Sequence, residues 1–208
     1  MTDAPETPQI YLITPAEIDV ETFAPQLAAC LDATPVGCLR LALSARDEDR
    51  ISRVADALRE VAHARDVALV LESHTLLAQR LGLDGVHLLD GARSVRAVRK
   101  ELGDEAIIGT FCGTSRHDGM TAGEAGVDYV SFGPAGATGL GDGSRAEPGL
   151  FQWWSEMIEV PVVAEGALDL DLVRQLAPLT DFFGIGSEIW DTDAPVERLR
   201  AFAKAIAG

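Results

Sequence analysis

Eight short runs rich in Val, Ile and Leu recur along the chain, at 9–13, 36–43, 67–71, 85–88, 106–111, 127–132, 161–164 and 181–185. Most are continuous rather than alternating, the pattern of parallel strands covered on both faces. Segments with helical rhythm separate them, at 22–31, 48–64, 75–81, 94–102, 119–125, 148–158, 170–176 and 195–206. In the second of these, Ile51, Val54, Ala55, Leu58 and Val61 keep the i, i+3, i+4, i+7 spacing, and Asp47 stands where an N-cap is needed. Eight strands each followed by a helix predict a single-domain (β/α)8 TIM barrel over 9–208, behind a loose tail at 1–8. An open doubly wound sheet is the competing topology, but no GxGxxG follows the first strand.

In such a barrel the chemistry gathers at the C-terminal ends of the strands. Two late runs place bare backbone there: PVVAEGAL ends near Gly166, and DFFGIGSEIW near Gly186-Ser187. Glycine lets peptide N–H groups approach an oxyanion, so these loops predict a phosphate cup. After the sixth strand, residues 133–149 begin with GPAGATGLGDG and read as a lid or ligand clamp.

With 208 residues and 47% hydrophobic composition, the chain can bury one substantial core. Its net charge of −16 repels nucleic acid and anionic lipid, so neither is an expected partner. An anionic ligand must then be held locally, by amides or a few placed cations. Cys30, Cys38 and Cys112 form no CxxC pair, which points to buried apolar thiols in a reducing cytoplasm, with no zinc site. No apolar run approaches the ~18 residues of a membrane span, and a soluble cytoplasmic protein is expected.

Several motifs together carry a family resemblance. Tyr11-Leu12-Ile13-Thr14, DGVHL (84–88), Ile107-Ile108-Gly109, DYVSFGP (128–134), PVVA (161–164) and Gly186-Ser187 occur in order over nearly the whole chain. The chain resembles the thiamine phosphate synthases and their relatives the thiazole tautomerases. That resemblance implies a (β/α)8 barrel in thiamine biosynthesis, with a thiazole phosphate or thiamine phosphate on the loops after strands seven and eight. It also implies transferase chemistry: a pyrimidine-methyl pyrophosphate ionises and the thiazole nitrogen captures the cation, with magnesium and cations stabilising the departing pyrophosphate.

This chain departs from the family's pattern where pyrophosphate is handled. Of Gln-Leu-Arg-Glu-Lys after strand two it keeps only Arg40. Asn-Asp after strand three becomes Glu72-Ser73, Gly-Gln-x-Asp after strand four becomes 89–92, and Thr-x-Thr-Lys after strand six keeps Thr138 without the lysine. The second glycine after strand seven is Ala167. Glu165 would repel a phosphate unless it turns outward.

The resulting expectation is a synthase-like barrel that binds a phosphate-bearing thiazole or related heterocycle and has lost the magnesium-pyrophosphate apparatus. An authentic synthase with rearranged ligands and a non-catalytic binder of a thiamine-pathway phosphate are the alternatives. His117, His74 and Glu72 are the candidate acids and bases. The first lies in Ser115-Arg116-His117, similar to the Ser-x-His pattern of the tautomerases but offset in register. Arg40, His87, Thr138, Gly166, Gly186 and Ser187 are the candidate ligand contacts. No cofactor is expected, magnesium entering only with the synthase alternative, and a homodimer is compatible with the chain. His63 reads as a solvated surface residue. Of Trp153 and Trp154, one ring should enter the core, and Trp190 stands where it could roof a ligand.

Overall fold

The computed structural model describes residues 7–139 and 143–208. Most of the segment expected to be a loose tail, and residues 140–142 of the expected lid, lie outside the described residues. Eight parallel strands close a barrel in chain order: β1 (Gln9–Ile13), β2 (Cys38–Leu41), β3 (Ala68–Glu72), β4 (Gly85–Leu88), β5 (Ile107–Phe111), β6 (Tyr129–Phe132), β7 (Val162–Glu165) and β8 (Phe182–Ile185). The closing contact pairs Tyr11 of β1 with Gly184 of β8.

Around the strands run α1 (Val20–Ala33), α2 (Glu48–His63), α3 (Thr75–Leu81), α4 (Val95–Leu102), α5 (Arg116–Ala125), α6 (Pro148–Met157), α7 (Leu170–Leu176), the short α8 (Ser187–Trp190) and α9 (Pro195–Ala207). The expected (β/α)8 barrel is therefore present, with elements shifted by a few residues at their ends. Helix α1 starts earlier than the apolar rhythm predicts because Asp19 caps it, accepting from the Thr22 amide. Asp47 caps α2 through the Arg50 amide in the same way. The turn α8, directly after β8, has no counterpart in the hydrophobic pattern, being only four residues long.

Two apolar layers follow from strand alternation. Leu12, Leu39, Leu69, Val86, Ile108, Val130, Ala164 and Phe183 belong to the large layer between barrel and helices. Tyr11, Cys38, Val70, Tyr129 and Val163 form the small cluster inside the barrel. Trp154 is buried in the outer layer, its Nε1 donating to the Val160 carbonyl, whereas Trp153 is half-buried under the Arg116 guanidinium. All three cysteines are buried and free.

An aspartate just before each of three even strands ties down the odd strand preceding it. Asp84 accepts from the Leu69 amide at 2.6 Å, Asp128 from Ile108 at 2.7 Å and Asp181 from Val162 at 2.8 Å. Each carboxylate satisfies an amide near the start of a strand, where the ladder has not yet begun. His63 is thus not merely solvated, for its Nε2 contacts Asp84 Oδ2 at 2.7 Å.

Candidate active site

The C-terminal ends of β1, β7 and β8 surround a cavity of about 340 Å³ walled by Ile13, Arg40, Glu165, Gly166, Ser187 and Trp190. The chain turns away from β7 through two left-handed residues, Gly166 at φ 85° and Ala167 at φ 53°. Gly166 can hold that angle because it has no Cβ, and one placed there would come within 3.1 Å of Pro134 Cα. Ala167 holds the left-handed angle with a side chain, a conformation that costs energy and is concentrated at functional sites. Trp190 is fixed as a wall by its Nε1, which donates to the Ile13 carbonyl at 2.7 Å.

Glycine was expected to bare amides here, and part of that expectation needs correcting. The Glu188 carboxylate folds back over the loops and accepts from the Gly186 amide at 2.8 Å and the Leu168 amide at 3.1 Å. Those two donors are taken by the protein's own carboxylate. Ser187 and Gly166 still line the open space.

Beneath the cavity the interior is polar, and its centre is Arg40. Arg40 is only 6% exposed. It was expected to offer a cation to a ligand, yet the structure turns it to internal partners. Nη1 and Nη2 donate to the two oxygens of Glu165 at 3.0 and 3.4 Å, and Nη1 lies 2.7 Å from His87 Nε2. Glu72 Oε2 is 3.5 Å from Nε, an ion-pair distance without hydrogen-bond geometry. Glu165 therefore turns inward rather than outward, and its charge is compensated by Arg40 across the barrel. Burial, the largest single effect, works against the guanidinium's charge, but Glu165, Tyr11, Glu72 and Tyr129 together outweigh it and the Arg40 pKa is raised.

This arrangement fixes the proton on His87. Arginine has no acceptor, so Nε2 must accept and Nδ1 must carry the hydrogen, which it donates to the Tyr129 hydroxyl at 2.9 Å. Tyr129 in turn meets the Tyr11 hydroxyl at 2.6 Å. Burial, with Arg40 second, lowers the His87 pKa well below its usual value, so the ring stays neutral. Burial likewise holds both phenols well above 10.

A consequence is readable in stability. Below about pH 6.5 the unfolded chain takes up a proton on this histidine and the folded chain does not, so stability is present above that pH and lost as pH falls. This one group should contribute a slope approaching about 1.4 kcal/mol per pH unit below 6.5. Glu72 acts oppositely at lower pH: burial raises its pKa, so protonation there favours the folded state. Urea unfolding at pH 7.0 and 5.5 should show the loss in the native protein and a shallower dependence in His87→Asn. Equal dependences would rule out His87 as the source.

The remaining candidates do not converge on this cavity. His117 is exposed in the first turn of α5 and lines a different, wider recess with Leu89, Asp90, Arg93 and Asp118. It is not among the residues that wall the cavity with Gly166 and Ser187. His74 stands at the N-cap position of α3, but its Nδ1 donates to the Glu72 carbonyl at 2.9 Å rather than capping the helix. Thr138 is half-buried on the loop after β6 and is not among the residues that wall the cavity. His87 is at the barrel centre, below the cavity.

Magnesium in such chemistry is held by one or two carboxylates together with substrate phosphates. Among the described residues no three potential ligands cluster. Glu72 and Asp90, at the ends of the neighbouring strands β3 and β4, are oxygen donors of the right kind. Glu72 faces Arg40, and Asp90 accepts from Ser94 Oγ at 2.6 Å.

Comparison with known proteins places the chain. A family model described as thiamine monophosphate synthase matches residues 10–183. Among curated proteins, the thiamine-phosphate synthase of Rhodospirillum centenum is 39% identical over 203 residues, covering 96% of this chain and 98% of its own. That of Erythrobacter litoralis is 37% identical over 206 residues, with 96% and 95% covered. Among solved structures, a thiamine phosphate pyrophosphorylase from Pyrococcus furiosus superposes with a TM-score of 0.81 at 19% identity, covering 96% of this chain and 95% of that one. No helix among the described residues is long and apolar enough to cross a membrane. With its closed eight-stranded barrel and near full-length relatives, the chain belongs to the thiamine monophosphate synthase family of thiamine biosynthesis.

Proposed function

We propose that the protein is a thiamine phosphate synthase working with a rearranged set of ligands, rather than a relative that has lost the reaction. The observation that carries this reading is the identity of up to 39%, spread over nearly the full length of proteins bearing that name. In the reaction the C–O bond to pyrophosphate breaks, the departing group takes the electron pair, and the thiazole nitrogen forms a C–N bond to the resulting cation. The cavity suits the cationic half of that step. Glu165, Glu188 and Asp191 line it, and carboxylates near a developing positive charge favour it more strongly than water does. Gly166 and Ser187 seat the thiazole side, and Trp190 supplies a flat apolar wall.

Magnesium, when bound, would neutralise the leaving pyrophosphate, with Glu72 and Asp90 as the carboxylates on offer. Arg40 positions Glu165 and Glu72 and, second to burial, disfavours a charge on His87 beneath them. The ligand class on this reading is a small phosphate-bearing molecule, and the net charge of −16 weighs against nucleic acid and anionic membranes as partners.

The test is thiamine phosphate formation from the pyrimidine pyrophosphate and thiazole phosphate, with and without magnesium. Magnesium-dependent product is expected, and no product at saturating substrates would overturn the reading. A second reading, a non-catalytic binder of a thiamine-pathway phosphate, is favoured by one observation: Arg40 is already engaged by Glu165, Glu72 and His87. Saturable binding of thiazole phosphate without turnover would select it.

A further inference from the structure

We propose that Glu188 is a specificity-determining residue: its carboxylate competes with the acceptor's phosphate for the amides after β7 and β8, narrowing the preference for a phosphate ester over the free alcohol. The proposal deepens the synthase reading and depends on it only for the identity of the thiazole. The Glu188 oxygens sit on the Gly186 and Leu168 amides, which belong to the two loops that wall the cavity. A carboxylate accepting two amide hydrogen bonds occupies the place an oxyanion would take. Two anions cannot share those donors. An entering phosphate must displace Glu188 or bind beside it and meet its charge.

The surroundings do not offset that repulsion. Glu165 and Asp191 also line the cavity, the cation there is Arg40, and Arg40 is already paired with Glu165. The protein's overall charge of −16 adds no attraction at longer range. A hydroxyl-bearing ligand meets the opposite situation, because it can donate to the Glu188 carboxylate where it stands. The same residue therefore penalises the ester and favours the alcohol.

Titration calorimetry of the full chain with thiazole phosphate and with its unphosphorylated alcohol tests this, alongside inorganic phosphate followed by 31P line broadening. In Glu188→Ala the ester should bind roughly tenfold more tightly than in the native protein, and inorganic phosphate should gain similarly, while the alcohol gains nothing. Glu188→Gln keeps the size and an acceptor oxygen but not the charge, and should fall between the two, which also guards against a misfolded alanine variant. If inorganic phosphate gains in Glu188→Ala although neither thiazole compound binds either protein, the competition stands and the synthase reading fails. Unchanged or weaker binding of inorganic phosphate in both variants overturns the proposal whatever the thiazole compounds do.

Discussion

Replacing Arg40 with Met should destabilise the protein by about 3–5 kcal/mol, the range for removing one partner of a buried charge pair. Three groups lose their partner at once. Glu165 would be left with its carboxylate in the barrel without the two guanidinium bonds, and Glu72 without its ion pair. His87 Nε2, fully buried, would keep an acceptor lone pair with no donor. Lysine is no substitute, because one ammonium cannot hold Glu165 at two oxygens and reach His87 as well. Arg40→Met/Glu165→Met should recover most of the loss, since removing both charges costs far less than stranding one. Urea unfolding of the three proteins decides it. A single variant within about 1 kcal/mol of the native protein would show that Glu165 simply turns to water, and the ion pair would then carry little of the interior's stability.

The barrel itself was legible because its signal is local. Continuous Val, Ile and Leu runs between amphipathic segments state a parallel sheet covered on both sides, whatever the details of the mouth. What could not be read is the coupling between distant strands. Glu165 looked like a charge aimed at a phosphate or at solvent, and nothing near it in sequence announces Arg40, 125 residues away. Only barrel closure brings them together. Glu188 is missed for a different reason: it lies two residues after Gly186, inside the very motif that suggested a phosphate cup, and its effect depends on the side chain folding back over the loop. Glycines announce the amides they expose, not the neighbouring carboxylate that takes them. By contrast, the aspartates of DGVHL, DYVSFGP and DFFGI were visible as motif letters without a cause. Their common position before β4, β6 and β8 acquires one when each is seen holding an amide of the strand before it.

Gly109→Ala should cost about 3–5 kcal/mol, combining an overpacked interior with broken hydrogen bonds. A Cβ at this position in β5 would stand 1.9 Å from Tyr129 Cζ and 2.2 Å from its Cε1, so the ring would have to move. It has little freedom to do so. Its hydroxyl is held by His87 at 2.9 Å and Tyr11 at 2.6 Å, and its face is stacked on the His87 ring. Displacing it unties His87 from the side opposite Arg40, so the damage should spread towards the cavity floor. Gly123→Ala makes the internal control. That glycine lies in α5 with Val160 Cγ2 at 3.5 Å as the nearest atom, and alanine there should gain about 0.5–1 kcal/mol from helix propensity. At roughly 2–4 °C per kcal/mol for a domain of this size, the first variant should melt about 10 °C lower and the second a few degrees higher. The same methyl group thus has opposite signs at two glycines, and the difference lies in whether a hydrogen-bonded ring already fills the space. Equal melting temperatures for the two variants would mean that the Tyr11, Tyr129 and His87 chain yields freely, and then it could not hold the proton on His87 Nδ1 or fix Arg40 beneath the ligand.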